Sequence, residues 1–151
     1  MLIRDVVSND AVSVSKNDSL RKVVSQMVLT NSASVPVVDA DKNLIGVVTI
    51  RDIMMPLYPQ QGDYVHDTLA ARDFEAMEDG YASVLQKTVA DVMTANPVSV
   101  ALDDPILKAL SFMGLRNLRR IPVVDGAKLV GVVTIEAING AMFIEHGSKK
   151  A

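Results

Sequence analysis

The 151-residue chain has no cysteine and no tryptophan. Without thiols there are no disulfides and no thiolate zinc sites, and the two histidines, His66 and His146, lie far apart and outside any metal-ligand spacing. No resident metal is expected. Aromatic residues make up 4% and the formal net charge is −3, so composition offers no bulk stacking or electrostatic basis for nucleic-acid binding. Long apolar runs are also missing: none approaches the roughly 20 residues that span a bilayer. Arg4 and Asp5 interrupt the N-terminal apolar residues before a signal core can form. These absences point to a cytoplasmic protein working without membrane or nucleic acid. Nor is there a Gly-x-Ser-x-Gly elbow, a Walker phosphate loop or a cysteine nucleophile, so the sequence offers no catalytic residues and no enzyme activity is expected.

What the chain does have is 49% hydrophobic residues, enough for one compact domain that buries roughly 70% of its extended-chain surface. It also has an internal repeat. Shifted by 86 positions, Asp5-Val6 falls on Asp91-Val92, Val12-Ser13-Val14 on Val98-Ser99-Val100, and Pro36-Val37-Val38-Asp39 on Pro122-Val123-Val124-Asp125. After a one-residue deletion, Gly46-Val47-Val48-Thr49-Ile50 falls on Gly131-Val132-Val133-Thr134-Ile135. Chance similarity between β-rich stretches does not hold one register this long.

Each copy carries the same punctuation. Short β-branched strands are expected at 11–14 and 97–100. A helix follows, with Asp18 as a capping candidate and Leu20, Val23, Val24, Met27 and Val28 on one face. In the second copy Asp104 is the cap candidate, Pro105 suits the first turn, and Ile106, Ala109, Leu110 and Met113 form the stripe. Two strands come next, 34–39 and 44–49, joined by a polar turn, and a short helix starts near Ile50 or Ile135. The fold class is therefore α/β: two pseudo-symmetric strand-helix-strand-strand-helix repeats packed through their sheets, with a helical insertion between them. The expected boundaries are 1–54 for the first repeat, 55–87 for the insertion, 88–146 for the second repeat and 147–151 for a tail. Within the insertion, Phe74, Met77, Tyr81 and Val84 make an amphipathic stripe despite Gly80, and the stretch from Asp63 to Asp79 is acidic apart from Arg72. It reads as a helical linker covering an exposed edge, or as a dimer contact or a lid. A unit this small has one sheet face to cover, which makes the cleft between copies the natural ligand site.

Three segments in this order, Val92-Met93-Thr94-Ala95-Asn96-Pro97-Val98, Arg119-Arg120-Ile121-Pro122-Val123-Val124-Asp125 and Gly46-Val47-Val48-Thr49-Ile50-Arg51-Asp52, resemble the cystathionine-β-synthase-type (CBS) domain. That domain occurs in tandem as the Bateman module. The resemblance implies a non-enzymatic regulatory sensor for an adenosine-containing ligand: AMP, ADP, ATP, S-adenosylmethionine or a cyclic dinucleotide. It also implies a homodimer and an effector protein that reads the bound state. The alternative is a scaffold or dimerisation protein with a vestigial pocket.

Carried over residue by residue, the resemblance assigns Thr49 and Asp52 to the ribose hydroxyls and Arg119 and Arg120 to the phosphate. The chemistry suits those roles, since a carboxylate accepts from vicinal hydroxyls and a guanidinium gives bidentate donors to phosphate. The adenine slot falls on Ser8, Asn9, Ala11 and Val12 with Ala33, Ser34, Val35 and Pro36. Copy one reads Ser8-Asn9-Asp10-Ala11 where copy two keeps the family's Thr94-Ala95-Asn96-Pro97. The opposite site would use Thr134, but three residues on stands Ala137 in place of the carboxylate, and Ala33-Ser34 replaces the arginines. One good site per chain, and one weak one, is the expectation. Arg51 is read as a surface or dimer contact and Met27, Met77 and Met113 as core packing.

Overall fold

A computed structural model describes residues 1–58 and 74–150. The first repeat runs α1 (Leu20–Thr30), β1 (Ser34–Val38), β2 (Leu44–Thr49) and α2 (Ile50–Met54). The described part of the insertion holds two short helices, α3 (Phe74–Asp79) and α4 (Tyr81–Val84). The second repeat runs α5 (Val89–Val92), β3 (Thr94–Ala95), β4 (Val100–Ala101), α6 (Ile106–Arg116), β5 (Arg120–Asp125), β6 (Lys128–Thr134) and α7 (Ile135–His146). The chain is thus an α/β protein of two repeats, each a small sheet backed by helices.

The helical stripes bury as their spacing predicts, with two exceptions. Leu20, Val23 and Met27 in α1 and Ile106, Ala109 and Met113 in α6 are buried, and a fully buried aliphatic side chain contributes about 1.5–3 kcal/mol. Val28 is 74% exposed and Leu110 37% exposed, because the sheet contacts a narrower arc of the helix than the five-residue stripe. Both helices end on an asparagine in the left-handed region, Asn31 at φ 50° and Asn117 at φ 54°. The caps differ from expectation. Ser19 is the N-cap of α1, its hydroxyl accepting from the Lys22 N–H, while the Asp18 carboxylate turns back to the Ser15 N–H at 2.8 Å. Asp104 does the same to the Ala101 N–H at 2.8 Å, and Pro105 is the N-cap of α6.

The expected strands at 11–14 and 97–100 shrink to a single parallel bridge between Val14 and Val37 and to the two-residue β4 beside β5. What precedes them explains why. Thr94 and Ala95 leave their own repeat and pair antiparallel with Val47 and Gly46 of β2, while Ser8 pairs with Val132 of β6, N–H to carbonyl in both directions at 2.9 and 3.0 Å. Each repeat's leading arm is therefore docked on the other repeat. The two cores record the same exchange: Ile3 is buried with the second repeat's Val100, Ile106, Ile121 and Ile138. Val84 and Val89 are buried with the first repeat's Leu20, Val35, Val48 and Ile53.

The glycines of the two Gly-Val-Val-Thr segments are the crossing points. A Cβ on Gly131 would stand 2.4 Å from the Ser8 carbonyl oxygen, and one on Gly46 would stand 2.9 Å from Met93 Sδ and 3.0 Å from the Thr94 carbonyl oxygen. Only a residue without a side chain lets the crossing arm lie this close to the sheet.

The insertion stripe is not one helix. It breaks at Gly80 into α3 and α4, leaving Phe74 56% exposed, Met77 and Tyr81 half-buried and Val84 buried. Tyr81 packs against the first repeat's core beside Leu57. The acidic run beginning at Asp63, and His66, lie largely outside the described residues. The helix from Ile135 is twelve residues long rather than short.

Candidate functional site

A cleft of about 280 Å³ opens between the repeats, walled by Ser34, Val47 and Thr49 from the first and by Thr94, Asn96, Pro97, Val98, Arg116, Leu118, Arg120 and Pro122 from the second. Its apolar surfaces are Val47, Val98, Leu118 and the two prolines. Its polar groups are hydroxyls, one amide and two guanidiniums.

Thr49 reaches the cleft because it ends β2 and begins α2. It is the N-cap of α2 in a reciprocal box: the Thr49 N–H donates to Asp52 Oδ2 at 2.8 Å, the Thr49 hydroxyl donates to the same oxygen at 3.0 Å, and the Asp52 N–H donates to Thr49 Oγ1 at 3.3 Å. The box satisfies backbone donors that a helix start otherwise leaves open. It also holds the half-buried Asp52 carboxylate next to Thr49, with Oδ1 outside the box. Thr88 and Asp91 at the start of α5 form the same box at 2.9 and 3.1 Å, so the motif by itself stabilises a helix end without reference to any ligand.

The two arginines of the Arg-Arg-Ile-Pro segment part company, as alternate residues on a strand must. Arg120 is half-buried in the cleft and its Nη1 donates to Ser32 Oγ of the first repeat at 2.8 Å. Arg119 is exposed and forms an ion pair with Glu136 on α7 at 2.7 Å, outside the cleft wall. The Glu136 carboxyl is held below its ordinary range, first by its own backbone N–H, then by Arg119 and by the charge of Arg120. Arg116, which sequence reasoning passed over, takes the place beside Arg120. It closes the last turn of α6, and the left-handed Asn117 turns the chain so that Arg116 and Arg120 flank one opening. Their shared side of the cleft is readable in sequence only once the helix end is known.

The expected adenine slot divides. Ser34 lines the cleft. Val35 and Pro36 are buried in the sheet, and Ala33 faces a separate groove between α1 and α2 with Ser32, Ile50, Ile53, Met54 and Tyr81. Ser8, Asn9, Ala11 and Val12 are not brought to Thr49, because their arm crosses to the second repeat. Asn9 and Ala11 line a different pocket with Lys42, Leu129, Val130 and Gly131, and Val12 is 36% exposed. The arm beside Thr49 is the other one, Thr94 to Val98, whose spacing was visible in the sequence and whose crossing was not. On the opposite side Thr134 caps α7 by accepting from the Ala137 N–H at 3.1 Å, and with alanine at 137 no carboxylate is there to accept from Thr134 in return.

The family model for the CBS domain matches residues 3–58 and 89–143, and the chain belongs to that family. It is 29% identical over 134 residues to the uncharacterized protein YlbB of Bacillus subtilis, covering 88% of this chain and 76% of that one. It is 28% identical over 135 residues to the inosine-5′-monophosphate dehydrogenase of Methanocaldococcus jannaschii, covering 89% of this chain but 22% of the enzyme. Among solved structures, CBSX2 in complex with AMP superposes with a TM-score of 0.73 at 22% identity, covering 99% of both chains; CBSX2 is a CBS-pair protein of Arabidopsis thaliana. The CBS domain pair of protein MJ0100 in complex with 5′-methylthioadenosine and S-adenosylmethionine superposes with a TM-score of 0.69 at 24% identity, covering 99% and 98%. The chain is accordingly a tandem CBS pair. Among the described residues no helix is long and apolar enough to cross a membrane.

Proposed function

We propose that this protein is a non-enzymatic sensor that binds one adenosine-containing ligand per chain in the cleft between Thr49 and Arg120 and signals through a homodimer to an effector protein. The observation that carries the reading is the composite origin of the cleft. A ribose-side hydroxyl with its neighbouring carboxylate comes from one repeat and the phosphate-side cations from the other, so occupancy bears on how the repeats sit together. AMP bound to CBSX2 and S-adenosylmethionine bound to the MJ0100 pair, on the same fold, support an adenosine ligand.

The proposed division is a first repeat over 1–54, an insertion over 55–87 and a second repeat over 88–146, with each leading arm serving its partner repeat. The apolar side chains left exposed on the helices, Leu29 at 81%, Leu115 at 80%, Phe143 at 74% and Ile144 at 83%, favour a helical face as the dimer surface.

The test is calorimetry of the full chain against AMP, ADP, ATP, S-adenosylmethionine and a cyclic dinucleotide, with wild type and Asp52→Ala. Hydrogen bonds to a charged group contribute about 1.5–3 kcal/mol, so the variant should bind about 10- to 100-fold more weakly. Equal affinities would remove Asp52 from the site. A second reading, a dimeric scaffold with a vestigial pocket, is favoured by the Thr49–Asp52 box, which is complete without a ligand. It predicts a stable dimer that binds none of the panel.

A further inference from the structure

We infer that the cleft selects an adenosine mononucleotide carrying a 5′-phosphate and discriminates against the sulfonium ligand S-adenosylmethionine, with Arg116 as the second phosphate-recognition residue. The inference rests on the adenosine-ligand reading and narrows it to one chemical class.

Charge is the first ground. Arg116 and Arg120 both line the cleft, and no Asp or Glu is among its described wall residues. Of the carboxylates around it, Asp52 holds both Thr49 donors on Oδ2 on the ribose side, and Glu136 is paired with Arg119. Arg120 is bonded to a neutral hydroxyl, and the Arg116 guanidinium has neither a hydrogen bond nor an ion pair among the described residues. Two guanidiniums with no close ion pair among the described residues repel a sulfonium and attract a doubly charged phosphate more strongly than the single carboxylate of S-adenosylmethionine, and like-charge juxtaposition in a narrow site opposes the wrong ligand directly.

The second ground is the comparison within the chain itself. In the 86-residue register, Arg116, Arg120, Asn96 and Pro97 correspond to Thr30, Ser34, Asp10 and Ala11. One side of the module has both cations and a neutral amide, while the other has two hydroxyls and an acid. The positive charge is therefore a property of this cleft and not of the repeat. Size is the third ground, and it bears on dinucleotides only: about 280 Å³ falls just below the usual range of ligand pockets, in keeping with one nucleotide and not two.

Arg116 also sits where any cation complements the helix C-terminus, so the test must separate that role from ligand contact. Calorimetry of the full chain would compare AMP, adenosine and S-adenosylmethionine on wild type and Arg116→Gln. Glutamine has a similar helix propensity, and urea unfolding of both unliganded proteins reports any structural effect. The expected result is AMP binding at least about tenfold tighter than adenosine or S-adenosylmethionine in wild type. Arg116→Gln should lose about five- to twentyfold for AMP with no change for adenosine. S-adenosylmethionine binding as tightly as AMP would overturn the selectivity while leaving the adenosine-site reading intact. An equal loss for AMP and adenosine would overturn the role of Arg116. Binding of none of the three, nor of ADP, ATP or a cyclic dinucleotide, would sink both readings together.

Discussion

Nη1 of Arg120 in the second repeat donates a 2.8 Å hydrogen bond to Oγ of Ser32 in the first. Ser32 follows the left-handed Asn31 that ends α1 and lines the groove between α1 and α2. One bond thus ties the cation of the cleft to the helical face of the other repeat.

Arg120→Gln is expected to weaken phosphorylated ligands by on the order of 10- to 100-fold. Ser32→Ala should leave their affinity unchanged or slightly improved, because Arg120 then gives up no neutral acceptor for the anionic one. Its cost is in the unliganded protein, about 0.5–1.5 kcal/mol by urea unfolding. A tenfold loss of affinity in Ser32→Ala would instead place Ser32 in contact with the ligand.

The two matching boxes allow Asp52 to be tested against its own control. Asp52→Ala removes the return bond to Thr49 and should cost about 0.3–1.5 kcal/mol of stability. Asp91→Ala breaks the same box at Thr88 and should also lower the unfolding midpoint. Only Asp52→Ala should lower nucleotide affinity. Calorimetry and thermal unfolding on the pair decide it, and a parallel loss of affinity in Asp91→Ala would trace the effect to helix fraying.

Gly131→Ala is expected to be severely destabilising, since the added Cβ meets the backbone carbonyl of Ser8 at 2.4 Å, an atom that cannot rotate away. Gly46→Ala should be milder, because its closest contact is the flexible Met93 side chain, although the Thr94 carbonyl at 3.0 Å still resists. Overpacking costs typically about 1–3 kcal/mol, and the Gly131 variant should reach or exceed the top of that range. Equal unfolding midpoints for the two variants would contradict the crossing geometry.

Acid should weaken the fold through Asp18 and Asp104. The Ser15 N–H, with Lys22, holds the Asp18 carboxyl below its ordinary value, and the Ala101 N–H, with Lys108, does the same for Asp104. A carboxyl lowered in the folded state contributes stability that is fully present above the unfolded value, about 3.9. That contribution is lost as pH falls through the lowered folded value. Thermal unfolding between pH 7 and 2.5 should therefore show a falling midpoint below about pH 4, and Asp104→Asn should flatten part of that slope. An unchanged profile in the variant would remove Asp104 from the titration.

The sequence by itself determined the duplication, its 86-residue register, the two helical stripes and the strand pairs that follow them. Those features are local or periodic, and apolar spacing or a Gly-Val-Val-Thr segment declares itself wherever it sits. Through its resemblance to the CBS domain it also marked Thr49, Asp52, Arg119 and Arg120 for one ligand. What the tertiary structure decided is which arm lies beside them. Ser8 to Val12 and Thr94 to Val98 are equivalent in the repeat, and nothing in either segment says whether it packs on its own sheet or crosses to the other. The crossing is set by Ile3 and Val89 finding buried places in the opposite cores and by Gly46 and Gly131 leaving room for a backbone. It brings Thr94, Asn96 and Pro97 to Thr49 and takes Asn9 and Ala11 away. Likewise the alternation of β5 sends Arg119 to Glu136 and Arg120 into the cleft, and only the end of α6 adds Arg116 beside it.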